Sequence, residues 1–500
     1  VFLLAIAAPW ARAGAPKHVT TVEGISEWRL DNGLKVLLFP DPSRPVVTVN
    51  LTIFVGSRHE GYGEAGMAHL LEHMLFKGTP THPDIKKALT ERGARWNGTT
   101  ALDRTNYFET LTGGDENLEF AVRLEADRLV NCPIKAEDLA SEMTVVRNEF
   151  EMGENNPIGI LFQRMNAVAY HWHNYGKSTI GNRSDIERVP ADNLRRFYQK
   201  YYQPDNAMVI VAGRFDEAKA LQHVGKYFGA IPRPSRALEA TYTEEPPQDG
   251  ERTVALRRVG DLAVVAALYH VPAGPHEEFP AVRTLQDILS DNPSGRLYKA
   301  LVETKKAALV FGSAAALHDP GYLSVGAAVR EDQSLDEARR VMLETIDRVM
   351  REGVTEEEVG RVKAQFVAQR RRELDDTSRL AVGLSNWAAQ GDWRLFFLLR
   401  DRMEKVTPKH VGEAARKYLR ASNRTVGLYI PSKEPERTPV PPVPDVAAML
   451  KDYKGREAVA PGEQLDPDPM KIEARITRRE LPGGVKAALL PKKSRQEMVY

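Results

Sequence analysis

Between Gly66 and Phe76 the chain reads Gly-Met-Ala-His-Leu-Leu-Glu-His-Met-Leu-Phe, a stretch whose spacing dictates one secondary structure. Leu70, Leu71, Met74 and Leu75 favour a helix, and no proline or glycine interrupts residues 67–77. On that helix His69 and His73 stand one turn apart, so both imidazoles leave the same face. Two neutral imidazoles at this spacing can bind one zinc ion, each through a ring nitrogen at about 2.0–2.1 Å. Glu72 borders the same face and could accept a proton from a zinc-bound water without being a ligand itself. A helical histidine pair can equally be a surface feature or a satisfied core pair, so the reading needs a third ligand.

A second helical segment, residues 136–153, carries Glu142 and Glu149 seven residues apart on one stripe. Val145 and Val146 lie between them and turn that stripe toward the interior. Carboxylates pointing into a core are costly unless paired or metal-bound, so both glutamates are candidates. The plain alternative for either is a solvated helix face, which is the expectation for Glu151 and Glu154.

Five hundred residues exceed what a single core supports, so at least two domains are expected. A hydrophobic share of 42% with 27% charged residues is that of a globular protein. The formal charge of +1 leaves no basic excess for a nucleic-acid partner. The single cysteine, Cys132, excludes an intrachain disulfide framework and reads as a small packing residue. Residues 1–13 run from an apolar stretch into Ala11-Arg12-Ala13, the pattern of the latter part of a secretory signal. About ten apolar residues cannot span a bilayer, and no later segment is long enough. The expectation is an exported protein, periplasmic or secreted, without a membrane span.

Taken in order, a first α+β domain is expected over residues 18–230, with strands at 46–55, 94–100, 105–112 and 207–213. A proline-rich, charged linker at 231–250 leads to a second domain of the same plan at 251–430. A second linker occupies 431–469. Residues 29–44 recur as 480–495, each copy a polar residue, a glycine turn, an apolar strand and a proline-led turn. The chain therefore reads as the first half of a duplicated protein, with residues 470–500 beginning the second half.

His-Leu-Leu-Glu-His with Val-Val-Arg-Asn-Glu at residues 145–149 resembles the insulinase and pitrilysin superfamily of inverted-motif zinc peptidases. Asn97-Gly98-Thr99-Thr100 with Asp103-Arg104-Thr105-Asn106-Tyr107 resembles the family's substrate-side strand, and Tyr175 to Gly181 and Tyr202 to Asn206 match as well. The resemblance implies that His69, His73 and Glu149 hold Zn2+, that Glu72 is the general base, and that Glu142 supports the site. It implies that Asn97, Gly98, Thr99 and Thr100 receive a peptide substrate along a strand edge. It also implies two homologous domains, each an antiparallel sheet packed by helices, forming one half of a clamshell.

One stretch departs from the family. Arg296-Leu297-Tyr298-Lys299-Ala300-Leu301 fits the start of a motif whose arginine and tyrosine contact the substrate carbonyl, but Val302 and Leu309 occupy those two places. Neither can donate a hydrogen bond to an oxyanion. The pair is then expected from the second half of the same polypeptide or from a separate homologous subunit. The reading is a zinc endopeptidase half; the alternative is a non-catalytic scaffold subunit of the same fold.

Overall fold

The computed structural model describes residues 16–434 and 436–495, so the expected secretory signal at residues 1–13 lies outside the described residues. β1 (Lys17–Val22), β2 (Ile25–Arg29), β3 (Lys35–Pro40), β4 (Val46–Ile53), β5 (Arg95–Thr100), β6 (Thr105–Thr112) and β7 (Ala207–Gly213) form one sheet, in the order β1-β2-β3-β7-β4-β6-β5. β7, with the sequence Ala-Met-Val-Ile-Val-Ala-Gly, is buried along its whole length, as a strand covered on both faces must be. β5 ends the sheet, and no described strand pairs with its outer edge. Between β4 and β5 lie α1 (Met67–Met74) and α2 (Ile85–Glu91). After β6 come α3 (Asp115–Asn131), α4 (Ala136–Glu154) and α5 (Pro157–Ala169).

A second sheet takes β8 (Arg252–Val259), β9 (Ala263–His270), β10 (Leu309–Ala314), β11 (Tyr322–Val329) and β12 (Arg424–Ser432), in the order β10-β11-β9-β12-β8. Read from its other end, this order repeats β3-β7-β4-β6-β5. In both sheets the first strand of the repeated plan runs parallel to the last, with Lys35 opposite Met208 and Arg252 opposite Thr425. The other ladders are antiparallel. The fold is thus α+β with two like sheets packed by helices, and the expected antiparallel sheets each contain one parallel pair. From residue 436 a separate unit carries the hairpin β13 (Thr477–Leu481) and β14 (Val485–Leu489). Gly483 and Gly484 supply its turn at φ 92 and 79.

The two faces of β4 do different work. Val47, Val49, Leu51 and Ile53 enter an apolar core with Leu70, Leu71 and Met74 of α1. Thr48, Asn50 and Thr52 point the other way and are also buried, so their polar groups need partners there. Helix Thr377–Ala388 supplies them: Thr48 Oγ1 lies 2.7 Å from Thr377 Oγ1, and Asn50 Nδ2 donates to Ser385 Oγ at 3.1 Å. Ile25, Leu37, Met208 and Ile210 line this same side, in one core with residues of the second sheet. A late helix therefore covers the back of the first sheet.

α1 ends at Met74, within the stretch to Lys77 that no proline or glycine interrupts. Phe76 N and Lys77 N reach back only three residues, to His73 O and Met74 O, before Gly78 turns away at φ 136. Its start is pinned twice. Glu60, buried, accepts from Gly66 N at 2.9 Å and Ala68 N at 2.8 Å, occupying two of the donors a helix start leaves free. Gly66 sits at φ 94, where an added Cβ would meet Ile180 O at 2.7 Å and Gly181 Cα at 3.0 Å. Gly66→Ala is expected to destabilise the protein by more than the roughly 1–2 kcal/mol of a left-handed non-glycine residue. Urea denaturation checks this against Gly63→Ala, at φ 77 with nothing within 4 Å of the added Cβ, which carries the backbone strain alone.

Candidate metal centre

α4 packs across α1 and brings its glutamates toward the histidines. His69 Nε2 lies 3.7 Å from Glu149 Oε2, and His73 Nε2 lies 3.5 Å from the same oxygen. The three ligand atoms fall within 4.8 Å of one another, the only such trio of histidine, cysteine or carboxylate groups among the described residues. A tetrahedral ion with ligands at about 2.0–2.1 Å would set its ligand atoms about 3.3–3.4 Å apart. The donor set fits. Burial, with His73 alongside, lowers the His69 pKa to about 4, so its ring is neutral at pH 7, as a ligand must be.

Glu142 explains the orientation of His73. Its Oε2 stands 3.2 Å from His73 Nδ1, so an Nδ1–H donated to it leaves Nε2 free to bind a metal. The other oxygen of Glu142 is paired with Lys77, four residues past His73. Burial pushes Glu142 up, but Lys77 and His73 outweigh it and hold the carboxyl below its usual range. The two glutamates of α4 thus separate: Glu142 is buried, while Glu149 reaches the centre from the exposed rim. The expectation for the intervening valines holds for Val146, fully buried, and fails for Val145, which is 43% exposed. Position 145 lies one helical step, about 100°, from Val146 and so faces solvent. Glu151 is solvated as expected, whereas Glu154 is ion-paired with Arg258 and with Arg164.

Glu72 lies beside the trio under the edge strand. It is buried, and Thr100 Oγ1 donates to its Oε2 at 2.6 Å. Its Oε1 has no hydrogen-bond partner among the described residues and looks onto Gly98, where an added Cβ would stand 2.7 Å away. Burial raises the Glu72 pKa, and Thr100, His73 and Arg104 oppose that rise. The cleft, about 420 Å³, is lined by His69, Glu72, His73 and Glu149 together with Asn97, Gly98, Thr99 and Thr100 of β5. Even-numbered residues of β5 face α1. Odd-numbered ones face away, and there Thr99 Oγ1 donates to Asn106 Oδ1 at 2.6 Å.

Two contributors went unread in the sequence, Glu60 at the helix start and Lys77 behind Glu142, and Arg104 was read only as part of the strand motif, with no role of its own. Arg104, buried, donates to Thr99 O at 2.9 Å, Asn106 Oδ1 at 3.0 Å and Asn386 Oδ1 at 2.9 Å, fixing the turn that carries Thr100. Lys77 offered a signal, one turn after His73 on the same side. The other two contacts depend on tertiary approach. Of the departing stretch, Val302 packs half-buried against the second core, Leu309 is exposed at the start of β10, and Arg296 forms two bonds of 2.7 and 2.8 Å to Glu358. Cys132 is buried, and burial raises its thiol pKa to about 12. Among the described residues no helix is long and apolar enough to cross a membrane.

Two family models match the chain: Insulinase (Peptidase family M16) over residues 35–183, and Peptidase M16 inactive domain over residues 188–366. A Mycobacterium bovis protein named an uncharacterized zinc protease is 30% identical over 417 residues, 82% of this chain and 92% of that protein. The crystal structure of a protease from Helicobacter pylori superposes with a TM-score of 0.78 at 26% identity, covering 84% of this chain and all of that one. The periplasmic protease PqqL from Escherichia coli shares the fold, with a TM-score of 0.68 at 20% identity, over 95% of this chain and 56% of its own length.

The contact between Glu142 and His73 carries its own test. Glu142→Gln is expected to weaken metal affinity about 10–100-fold, as loss of a carboxylate behind a ligating histidine does. Glu151→Gln, on the exposed side of the same helix, is expected to leave affinity unchanged. Competition with a chromophoric chelator measures both.

Proposed function

The chain belongs to the insulinase family, peptidase family M16, and from that premise we propose that it is a zinc endopeptidase acting on peptides or unfolded protein segments. The observation that carries the reading is the convergence of His69, His73 and Glu149 beside a buried glutamate, one of whose oxygens has no partner among the described residues, beneath a strand edge that no described strand pairs. Zinc held by those three residues would supply a Lewis acid that polarises the scissile carbonyl and lowers the pKa of the attacking water. Glu72 Oε1 takes a proton from that water and passes it to the leaving nitrogen, while Thr100 holds Oε2 still. The β5 edge receives the peptide as an added strand, placing its backbone along Asn97 to Thr100. Gly98 leaves the space over Glu72 open.

Val302 and Leu309 offer no oxyanion donor, so this reading takes the missing arginine and tyrosine from a second homologous half, in the same polypeptide or in another subunit. The apolar run at residues 1–10, ahead of Ala11-Arg12-Ala13, supports export to the periplasm or beyond as part of this reading.

Glu72→Gln is expected to retain close to one equivalent of zinc and to lose about 10²–10⁴-fold in turnover. Metal analysis beside hydrolysis of a quenched fluorescent peptide checks this; a zinc-free variant would make Glu72 a ligand and overturn the assignment. A second expectation concerns pH. Glu72 works as its anion, so activity rises as pH climbs through its pKa. The Thr100 hydroxyl favours that anion. Thr100→Val is therefore expected to move the acid limb of the kcat/KM profile to higher pH, and a limb that stays put or falls would remove the hydroxyl from this role.

A further inference from the structure

The proposed peptide strand has two faces, and only one of them looks at the metal. Trp96, Gly98 and Thr100 turn toward α1: Trp96 packs on Phe76 with ring centroids 5.0 Å apart, and Gly98 and Thr100 meet Glu72. Arg95, Asn97 and Thr99 turn to the opposite side of the sheet, as do Asn106 and Phe108 of β6, which pair with Thr99 and Asn97. A strand laid on the β5 edge alternates in the same way, so the neighbours of each side chain on the metal side point to this other face.

On that face lies a groove of about 420 Å³ between Phe108 and two later helices, Glu356–Leu374 and Thr377–Ala388. Gln369, Arg372, Arg379 and Asn386 line it. Asn386 is tied through Arg104 to Thr99 of β5, so the groove is joined to the edge strand itself. Its charge is positive and largely unspent. Arg372 is exposed and makes no ion pair among the described residues. Arg379 has only Asp376, at 3.7 Å, and Glu373, the groove's one acid, is taken by Arg370 at 2.7 Å.

We propose that this groove is a specificity subsite that takes an acidic side chain of the bound peptide, one that neighbours a metal-facing residue and points to the opposite face of the sheet. The inference rests on the peptidase reading and adds a substrate class to it: strands with aspartate or glutamate at alternate positions beside the cleavage site. Arg372 and Arg379 are its specificity residues, and they belong to the part of the chain that lacks the metal motif.

Binding tests this apart from turnover. Zinc-loaded Glu72→Gln protein is titrated by fluorescence anisotropy with one labelled peptide and its single-glutamate and single-lysine scans, at low and high salt. One alternating set of positions is expected to bind about tenfold more tightly with glutamate than with lysine, with the preference shrinking at high salt. Arg372→Glu and Arg379→Glu are expected to abolish or invert that preference at melting temperature and zinc content unchanged, and the milder Arg372→Ala with Arg379→Ala to reduce it. A glutamate preference that survives these changes, or no glutamate preference in the unaltered protein, overturns the subsite while leaving the peptidase reading in place. Failure of every peptide to bind overturns the strand-edge reading, and the subsite with it.

Discussion

Two ring nitrogens have to arrive at one point, and the rest of the site depends on how rigidly α1 delivers them. The helix is only eight residues long, too short to hold itself in water. Its stability is borrowed. One face is buried in the first core, Glu60 occupies the free amides at its start, and Gly66 lies against Gly181 where a side chain would force the segments apart. Burial raises the Glu60 pKa to about 8 against the pull of its amide donors, a cost the chain sustains next to the histidine pair. Glu142 then fixes the last freedom, the rotation of His73.

What the sequence makes legible follows the range of the interaction. Helical spacing places His69, His73 and Glu72 on one side, and the buried runs at β4 and β7 read as strands because their apolar residues alternate or run unbroken. The separation of Glu142 from Glu149 does not follow from a seven-residue spacing. The stripe they share lies at the border of the core, and a few tens of degrees decide which glutamate is inside and whether Val145 or Val146 is covered. Arg104 lies further out of reach. Its three partners stand on β5, on β6 and on a helix nearly three hundred residues later, and only the folded chain brings them together.

The second sheet repeats five strands of the first in the same order, yet the helix in the place of α1 has been given over to packing. Phe279–Ser290, between β9 and β10, carries Phe279, Val282, Leu285, Ile288 and Leu289 into the core and offers no histidine. In exchange this part of the chain supports the other. Ser385 and Thr377 satisfy the buried polar face of β4, Asn386 steadies the turn beside Thr100, and Trp393 Nε1 donates to Glu27 at 2.8 Å. One plan thus serves once as a site and once as its backing.

The parallel pairs that open and close each sheet set the order of events during synthesis. β3 waits for β7, and β8 waits for β12 at the same distance along the chain, so neither sheet can complete its five-strand plan until nearly all of its own sequence has been made. Contacts of such long range are slow to form, because loop closure comes before the reward of burial. A nascent chain holding only the first four strands and the histidine helix exposes apolar β3 and β4 edges with nothing to pair them. That delay is written into the strand order: each five-strand plan stays open while its chain is being made and closes only when its last strand arrives.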